Sequence, residues 1–223
     1  MMLDEAGQAL IAAAVSRAEA STSAEVGCVV TGEVSQYREV SIATAAAVAL
    51  LAPPLAVALG LRLEALAAPF SGWTAAHGPA SGPALTLFVV LQVVVFGLAA
   101  LVASVPSVRR TLTPRSLKER RVRRAAQLHF AGARHHLEAE RPLLLIFASP
   151  DDRQMEIIAD EQVHARVGQA VWDDAVAQAL ATIRTSGTAA GLARAVEVCG
   201  AAVAAQFPDD GAPNAFPDRA AEV

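Results

Sequence analysis

The sequence predicts an α/β domain interrupted by a hairpin of two membrane-spanning helices. Two long runs without a charged side chain, residues 40–61 and 83–105, lie close together in the chain. An amphipathic helix and one strand precede them, and a helix, two strands and two helices follow. A dense cationic stretch, from Arg109 to Arg124, comes directly after the second run.

Composition agrees with this division. The chain has 223 residues, of which 54% are hydrophobic. Its mean hydropathy is +0.40, above that of an ordinary soluble domain. The excess is concentrated in residues 40–105. A net charge of -4 and an aromatic fraction of 4% offer neither the basic surface nor the stacking platforms of a nucleic-acid binder.

Residues 3–20 place Leu3, Ala6, Leu10, Ile11, Ala14, Val15 and Ala18 at helical spacing, the pattern of an amphipathic helix. Ser21, Thr22 and Ser23 end it. Asp4, Glu5 and Glu19 oppose a signal-peptide reading, which wants early positive charge and a continuous apolar centre. The first apolar run is therefore expected to act as an uncleaved membrane signal. Residues 25–33, EVGCVVTGE, alternate Val26, Cys28 and Val30 with Glu25, Gly27, Val29 and Thr31, a strand signal. The two cysteines, Cys28 and Cys199, read as small buried apolar residues rather than a disulfide.

Residues 40–61 are interrupted only by Ser41, Thr44, Pro53, Pro54 and Gly60, and residues 83–105 chiefly by Gln92. About 20 apolar helical residues cross a bilayer core. Runs with no charge on any face leave no solvent-facing side, and membrane helices tolerate the kink two prolines introduce. The loop over 62–82 carries Arg62 as its one Lys or Arg, with Trp73 and His77. Arg109, Arg110, Arg115, Lys118, Arg120, Arg121, Arg123 and Arg124 follow the second run, opposed by Glu119. Cationic flanks resist translocation, so both termini are expected in the cytoplasm, with the chain a multi-pass protein of the inner cell membrane. The basic stretch sets topology and starts a solvated helix; attraction to anionic lipid headgroups is compatible with both roles.

Beyond the hairpin, residues 118–138 form a helix with Val122, Ala126, Phe130, Ala133 and Leu137 on its apolar stripe. LLLIFA, 143–148, is a continuous apolar run, as in a strand buried on both faces. Ser149-Pro150-Asp151-Asp152 is a turn, and RQMEIIAD, 153–160, returns as the next strand of a hairpin. Trp172 opens a helix with Val176, Leu180 and Ile183 inward. Ser186-Gly187 stops it, and Thr188 caps a last helix through Leu192, Val196, Cys199 and Val203 to Phe207. The first strand cannot be stable unpaired. Residues 1–38 and 108–207 should therefore fold together, with 39–107 inserted as the transmembrane hairpin. Residues 208–223 are expected to be a disordered tail.

The segment LLLIFASPDDRQMEIIADEQVHARV, the Trp172 that follows, the ending GLARAVEVCGAAVAAQFP and an upstream strand interrupted by two spans resemble the TPM-domain family. That group is named for a thylakoid lumen protein, a photosystem II repair protein and a nematode receptor modulator. The likeness runs from about Ser23 to Pro208 and is to the bacterial membrane-protein branch. It implies an α/β (α+β) sandwich, a small mixed sheet flanked by helices. It also implies either weak acid-phosphatase activity or an accessory role in a membrane complex. Family members commonly carry a Thr- or Arg-Gly pair before the apolar strand, where this chain has Glu140-Arg141-Pro142. Many have a glycine shortly after the Ala-Asp, where this chain has Glu161-Gln162.

Among residues that carry chemistry, Asp160 at a strand end is the leading candidate. Glu161 and Asp173 converge with it if the strand end meets the helix start. The three are then candidate ligands for a hard cation, Ca²⁺ or Mg²⁺, which wants several oxygens. Asp151 and Asp152 fit turn chemistry, and Asp173 and Asp174 fit a helix N-terminus. His129, His135 and His136 share one helix, but zinc sites favour closer pairs with a third ligand. The chain has no glycine-rich phosphate loop, nucleophile elbow or paired-cysteine spacing. Two functions follow. The first is a membrane-anchored accessory or interaction domain facing the cytoplasm, its partners the lipid bilayer and another membrane protein or complex. The alternative is a metal-assisted, acid-phosphatase-like hydrolase using Asp160.

Overall fold

The computed structural model describes residues 3–60, 81–138, 140–211 and 213–222. The loop residues Arg62, Trp73 and His77 lie outside them. The chain divides into two compact units, Met1–Ser35 with Arg115–Val223, and Gln36–Pro114.

The first unit is built on a four-stranded mixed sheet, β1 (Glu25–Val30), β2 (Leu143–Ser149), β3 (Gln154–Ala159) and β4 (Ala221–Glu222), in the order β3-β2-β1-β4. β1 and β2 are parallel, with Glu25 opposite Leu143 and Val30 opposite Ala148. β2 and β3 form the expected antiparallel hairpin, Ile146 opposite Ile157. Every residue of β2 is buried, because helices cover both faces of the sheet. On one face lie α1 (Glu5–Glu19), α6 (Glu161–Val167), α7 (Gln169–Ser186) and α8 (Thr188–Ala204), whose Ile11, Val163, Trp172, Val196 and Cys199 share a core with Val26, Cys28, Leu144 and Ile146. On the other, α5 (Arg115–His135) lays Val122 and Ala126 over Val29, Leu145 and Phe147. Both cysteines are free and buried.

Small residues let the helices approach. A Cβ on Gly200 of α8 would stand 2.6 Å from the Ala18 Cβ of α1, and one on Gly191 2.7 Å from the Ala179 carbonyl oxygen of α7. This close crossing centres the core stripe of α7 on Trp172, Ala175 and Ala179; of the expected Val176, Leu180 and Ile183, all partly buried, Val176 and Ile183 pack against the same core. Two boundaries also differ from the sequence reading. A short helix, α6, precedes the Trp172 helix, which itself starts at Gln169. Thr188 is the first helical residue rather than the cap. That place falls to Gly187, at φ +89°, without a side-chain hydrogen bond, a conformation glycine adopts without steric penalty.

The C-terminal tail departs from the expectation of disorder. Ala221 and Glu222 pair in parallel with Val29 and Val30. Glu222 accepts hydrogen bonds from Leu3 N at 3.3 Å and Gln8 Nε2 at 2.9 Å. An acidic, proline-rich segment is held here by polar contacts that composition alone does not reveal.

The second unit holds α2 (Arg38–Ala58), α3 (Ser81–Ser104) and α4 (Pro106–Leu112). α2 runs on through Pro53 and Pro54. The axis from Phe88–Ser104 to α4 turns by 94° at Val105–Pro106, where Val105 is extended and Pro106 opens α4, a position proline suits. α2 and α3 pack together. Ser41, Ala45, Ala49 and Pro53, each four residues apart on α2, are its buried stripe, and Ser41 Oγ donates to the Ala103 carbonyl of α3 at 2.8 Å. The large apolar side chains point away, among them Leu50, Leu51 and Leu55 on α2 and Val93, Leu98 and Leu101 on α3.

Candidate functional site

Asp160 closes β3 and stands immediately before α6. Its Oδ2 accepts from the Leu143 backbone N–H at 2.8 Å and from Arg134 Nη1 at 2.8 Å. Arg134, near the end of α5, also donates to the carbonyls of Arg141, at 2.6 Å, and Glu138. One guanidinium thus joins the end of α5, the loop leading into β2 and the end of β3. Asp160 is placed to fix backbone.

The other two candidate ligands lie elsewhere in their own surroundings. Glu161 is exposed at the first position of α6. Asp173 is exposed on α7 and accepts from Gln169 Nε2 at 2.8 Å. Among the described residues, no group of three or more His, Cys, Asp or Glu is arranged to hold a metal ion. Asp160, Glu161 and Asp173 are not brought together. His129 packs its ring against Phe147 at 5.5 Å, and the His135 and His136 rings meet edge-on.

The same end of the sheet carries a polar cluster that the sequence reading missed. Glu25, at the start of β1, is only 1% exposed. Its Oε1 receives Arg141 Nη2 at 2.6 Å and the Ala215 backbone N–H at 2.8 Å. Glu19, at the end of α1, accepts from Val26 N–H at 3.0 Å and from Asn214 Nδ2 at 2.7 Å. Asn214 also donates to Asp218 at 2.6 Å, and Arg141 Nη1 to the Pro213 carbonyl at 2.5 Å. Three carboxyls, one guanidinium and one amide therefore lock the tail against α1 and β1. Burial pushes the Glu19 carboxyl up to about 7. The Val26 N–H opposes the rise, while the charges of Glu25 and Asp218 and a hydrogen bond with Glu25 add to it. Alternation in EVGCVV marked Glu25 only as a strand residue. Its partners come from 116 residues and more along the chain, so no local signal points to them.

At the opposite end of the parallel strands, Asp152 is 2% exposed in the β2–β3 turn. Its Oδ2 accepts from the Ser149 hydroxyl at 2.9 Å and from Val34 N–H at 3.0 Å. The Ser149 hydroxyl also lies against the Gly32 carbonyl. Arg153, at φ +55°, closes the turn in the left-handed region. This knot fastens the segment that leaves β1 to the turn beyond β2. It accounts for Asp152 as turn chemistry with a long-range partner.

No family model matches the chain, and no curated protein matches it. Among solved structures it is similar to the NMR structure of BA42 protein from the psychrophilic bacterium Bizionia argentinensis. That likeness has a TM-score of 0.55 at 12% identity and covers 100% of this chain and 97% of the other. It shows a shared fold.

Proposed function

We propose that the chain is a membrane-anchored accessory domain, with α2 and α3 as a transmembrane hairpin and the α/β unit on the cytoplasmic side. The observation that carries this reading is the inverted packing of α2 against α3. A soluble helical hairpin buries its leucines and turns polar groups outward. Here Ser41, Ala45 and Ala49 face inward and Leu50, Leu51 and Leu55 outward. Only 22% of the apolar window in Arg38–Ala56 is buried. Small residues at the helix contact and large apolar ones outside are what a lipid solvent selects. The cations after α3 support a cytoplasmic exit.

The α/β unit is, in this proposal, a TPM-like domain that recognises another membrane protein or complex. The engagement of Asp160 by Arg134 and the Leu143 N–H favours this over hydrolysis at Asp160. Carbonate-washed membranes should retain the full chain, and a reporter fused after Arg124 should be active only in the cytoplasm. Release into the supernatant would overturn the anchor, and an external reporter would overturn the orientation. Cross-linking in intact membranes should then capture one reproducible partner through the α/β unit.

A further inference from the structure

We propose that the outward face of α5 is a binding surface for anionic phospholipid headgroups. Val122 and Ala126 commit one side of this helix to the sheet. Helical spacing puts Arg120, Arg124 and Leu128 on the other side, one turn apart. Arg120 and Arg124 are exposed, and among the described residues neither has an ion-pair or hydrogen-bond partner. Leu128 is 67% exposed. Two arginines continued by a large apolar side chain form the amphipathic stripe of an interfacial helix, whose cations meet phosphates while the leucine enters the headgroup layer. The occupant follows from charge and from chain continuity. Ten residues, Val105 to Pro114, separate α5 from the apolar helix α3, and α4 with Arg109 and Arg110 lies among them, so the first turns of α5 follow the apolar segment closely in the chain. Fields of an anionic leaflet act within about 10 Å. The inference rests on the membrane reading and adds a lipid class to it.

The test uses the full chain carrying Leu128→Cys with an environment-sensitive fluorophore. The native Cys28 and Cys199 are buried and leave this position to be labelled. In nanodiscs of phosphatidylcholine containing phosphatidylglycerol, emission should shift to the blue relative to phosphatidylcholine alone. High salt should reverse the shift, and Arg120→Gln with Arg124→Gln should abolish it. Identical spectra in the two lipids overturn the proposal and leave the stripe to an acidic protein surface. A chain that fails to enter nanodiscs refutes the anchor instead. Co-sedimentation with vesicles of the same two compositions then decides the surface. Binding to the anionic vesicles, about fivefold weaker for each arginine removed, supports it, and equal binding to both refutes it.

Discussion

The carboxyl of Glu19 should make the stability of the α/β unit fall as pH rises from about 4.5 to about 7. Folding raises this group from its ordinary 4.5 to about 7. The folded state therefore holds a proton that the unfolded chain releases. Stability from the protonated carboxyl is complete below about pH 4.5, is lost progressively up to about pH 7, and stays lost above it. At about 1.4 kcal/mol per pH unit the displacement converts to at most about 3.4 kcal/mol. The side chain is only partly buried, and solvent screening reduces the expected loss to about 1–2 kcal/mol. Glu19→Gln removes the titration. It also costs Asn214 an acceptor, but that loss is the same at every pH. The discriminating quantity is thus a double difference, wild type against variant at pH 4.5 against pH 8. Hydrogen exchange at the β2 amides of Leu144 and Ile146, in the full chain, gives the opening free energy of the unit. The wild type should lose about 1–2 kcal/mol more than the variant between the two pH values. The double difference cancels contributions from titrating groups that do not interact with Glu19, among them Glu156, which burial also pushes up; what Glu25 and Asp218 add through Glu19 is part of the quantity measured. A double difference of zero, or of opposite sign, refutes the reasoning.

Other perturbations test the packing and the clips separately. Gly200→Ala forces a methyl group to 2.6 Å from the Ala18 Cβ and should destabilise the unit by about 1–3 kcal/mol, seen as a lower unfolding midpoint. Arg134→Met removes the donor that joins Asp160 to the end of α5 and should cost about 2–3 kcal/mol. If Asp160→Asn loses a comparable amount while the cross-linked partner is unchanged, its role is structural; a selective loss of partner capture with normal stability would show otherwise. Burial pushes the Cys28 and Cys199 thiols up to about 12, so a maleimide should modify neither in the folded chain at pH 7 and both after denaturation.

Much of the fold is legible because it is written in local periodicity. LLLIFA, without alternation, announces a strand covered on both faces, and the stripe Val122–Ala126 identifies the helix that covers one of them. Elements set by long-range contacts are not legible in this way. The two residues of β4 have no apolar pattern, and their place depends on Val29, Val30 and the N–H of Leu3. The α7 stripe centres on Ala179 because Gly191 admits the Ala179 backbone at a distance that hydrophobicity does not encode. For the site, residue type alone suggested that Asp160 and Glu161 act together. One turned to Arg134 and the other to solvent, since a strand end and a helix start point their side chains differently.

The parallel pairing of β1 and β2 explains why so long an insertion can be accommodated. Adjacent parallel strands need a crossover of a dozen residues or more, usually a helix packed on the sheet. α5 meets that need by itself, through Val122 and Ala126 against Val29, Leu145 and Phe147. Gln36–Pro114 therefore lies within the connection from β1 to α5 without being required to close it. The two ends of the gap are fastened inside the α/β unit. Asp152 holds Val34 N–H, and Arg121 Nη1 donates to Ser35 Oγ at 3.0 Å. Because loop-closure entropy grows only slowly with length, a connection pinned at both ends can carry two further helices at small cost to the sheet. Weakening the pin without touching the helices is the way to test this. Asp152→Asn keeps the shape but replaces one carboxylate oxygen with a donor, and faster hydrogen exchange should appear first at Val34 N–H. Uniform acceleration across β1 and β2 would mean that the pin and the sheet open as one.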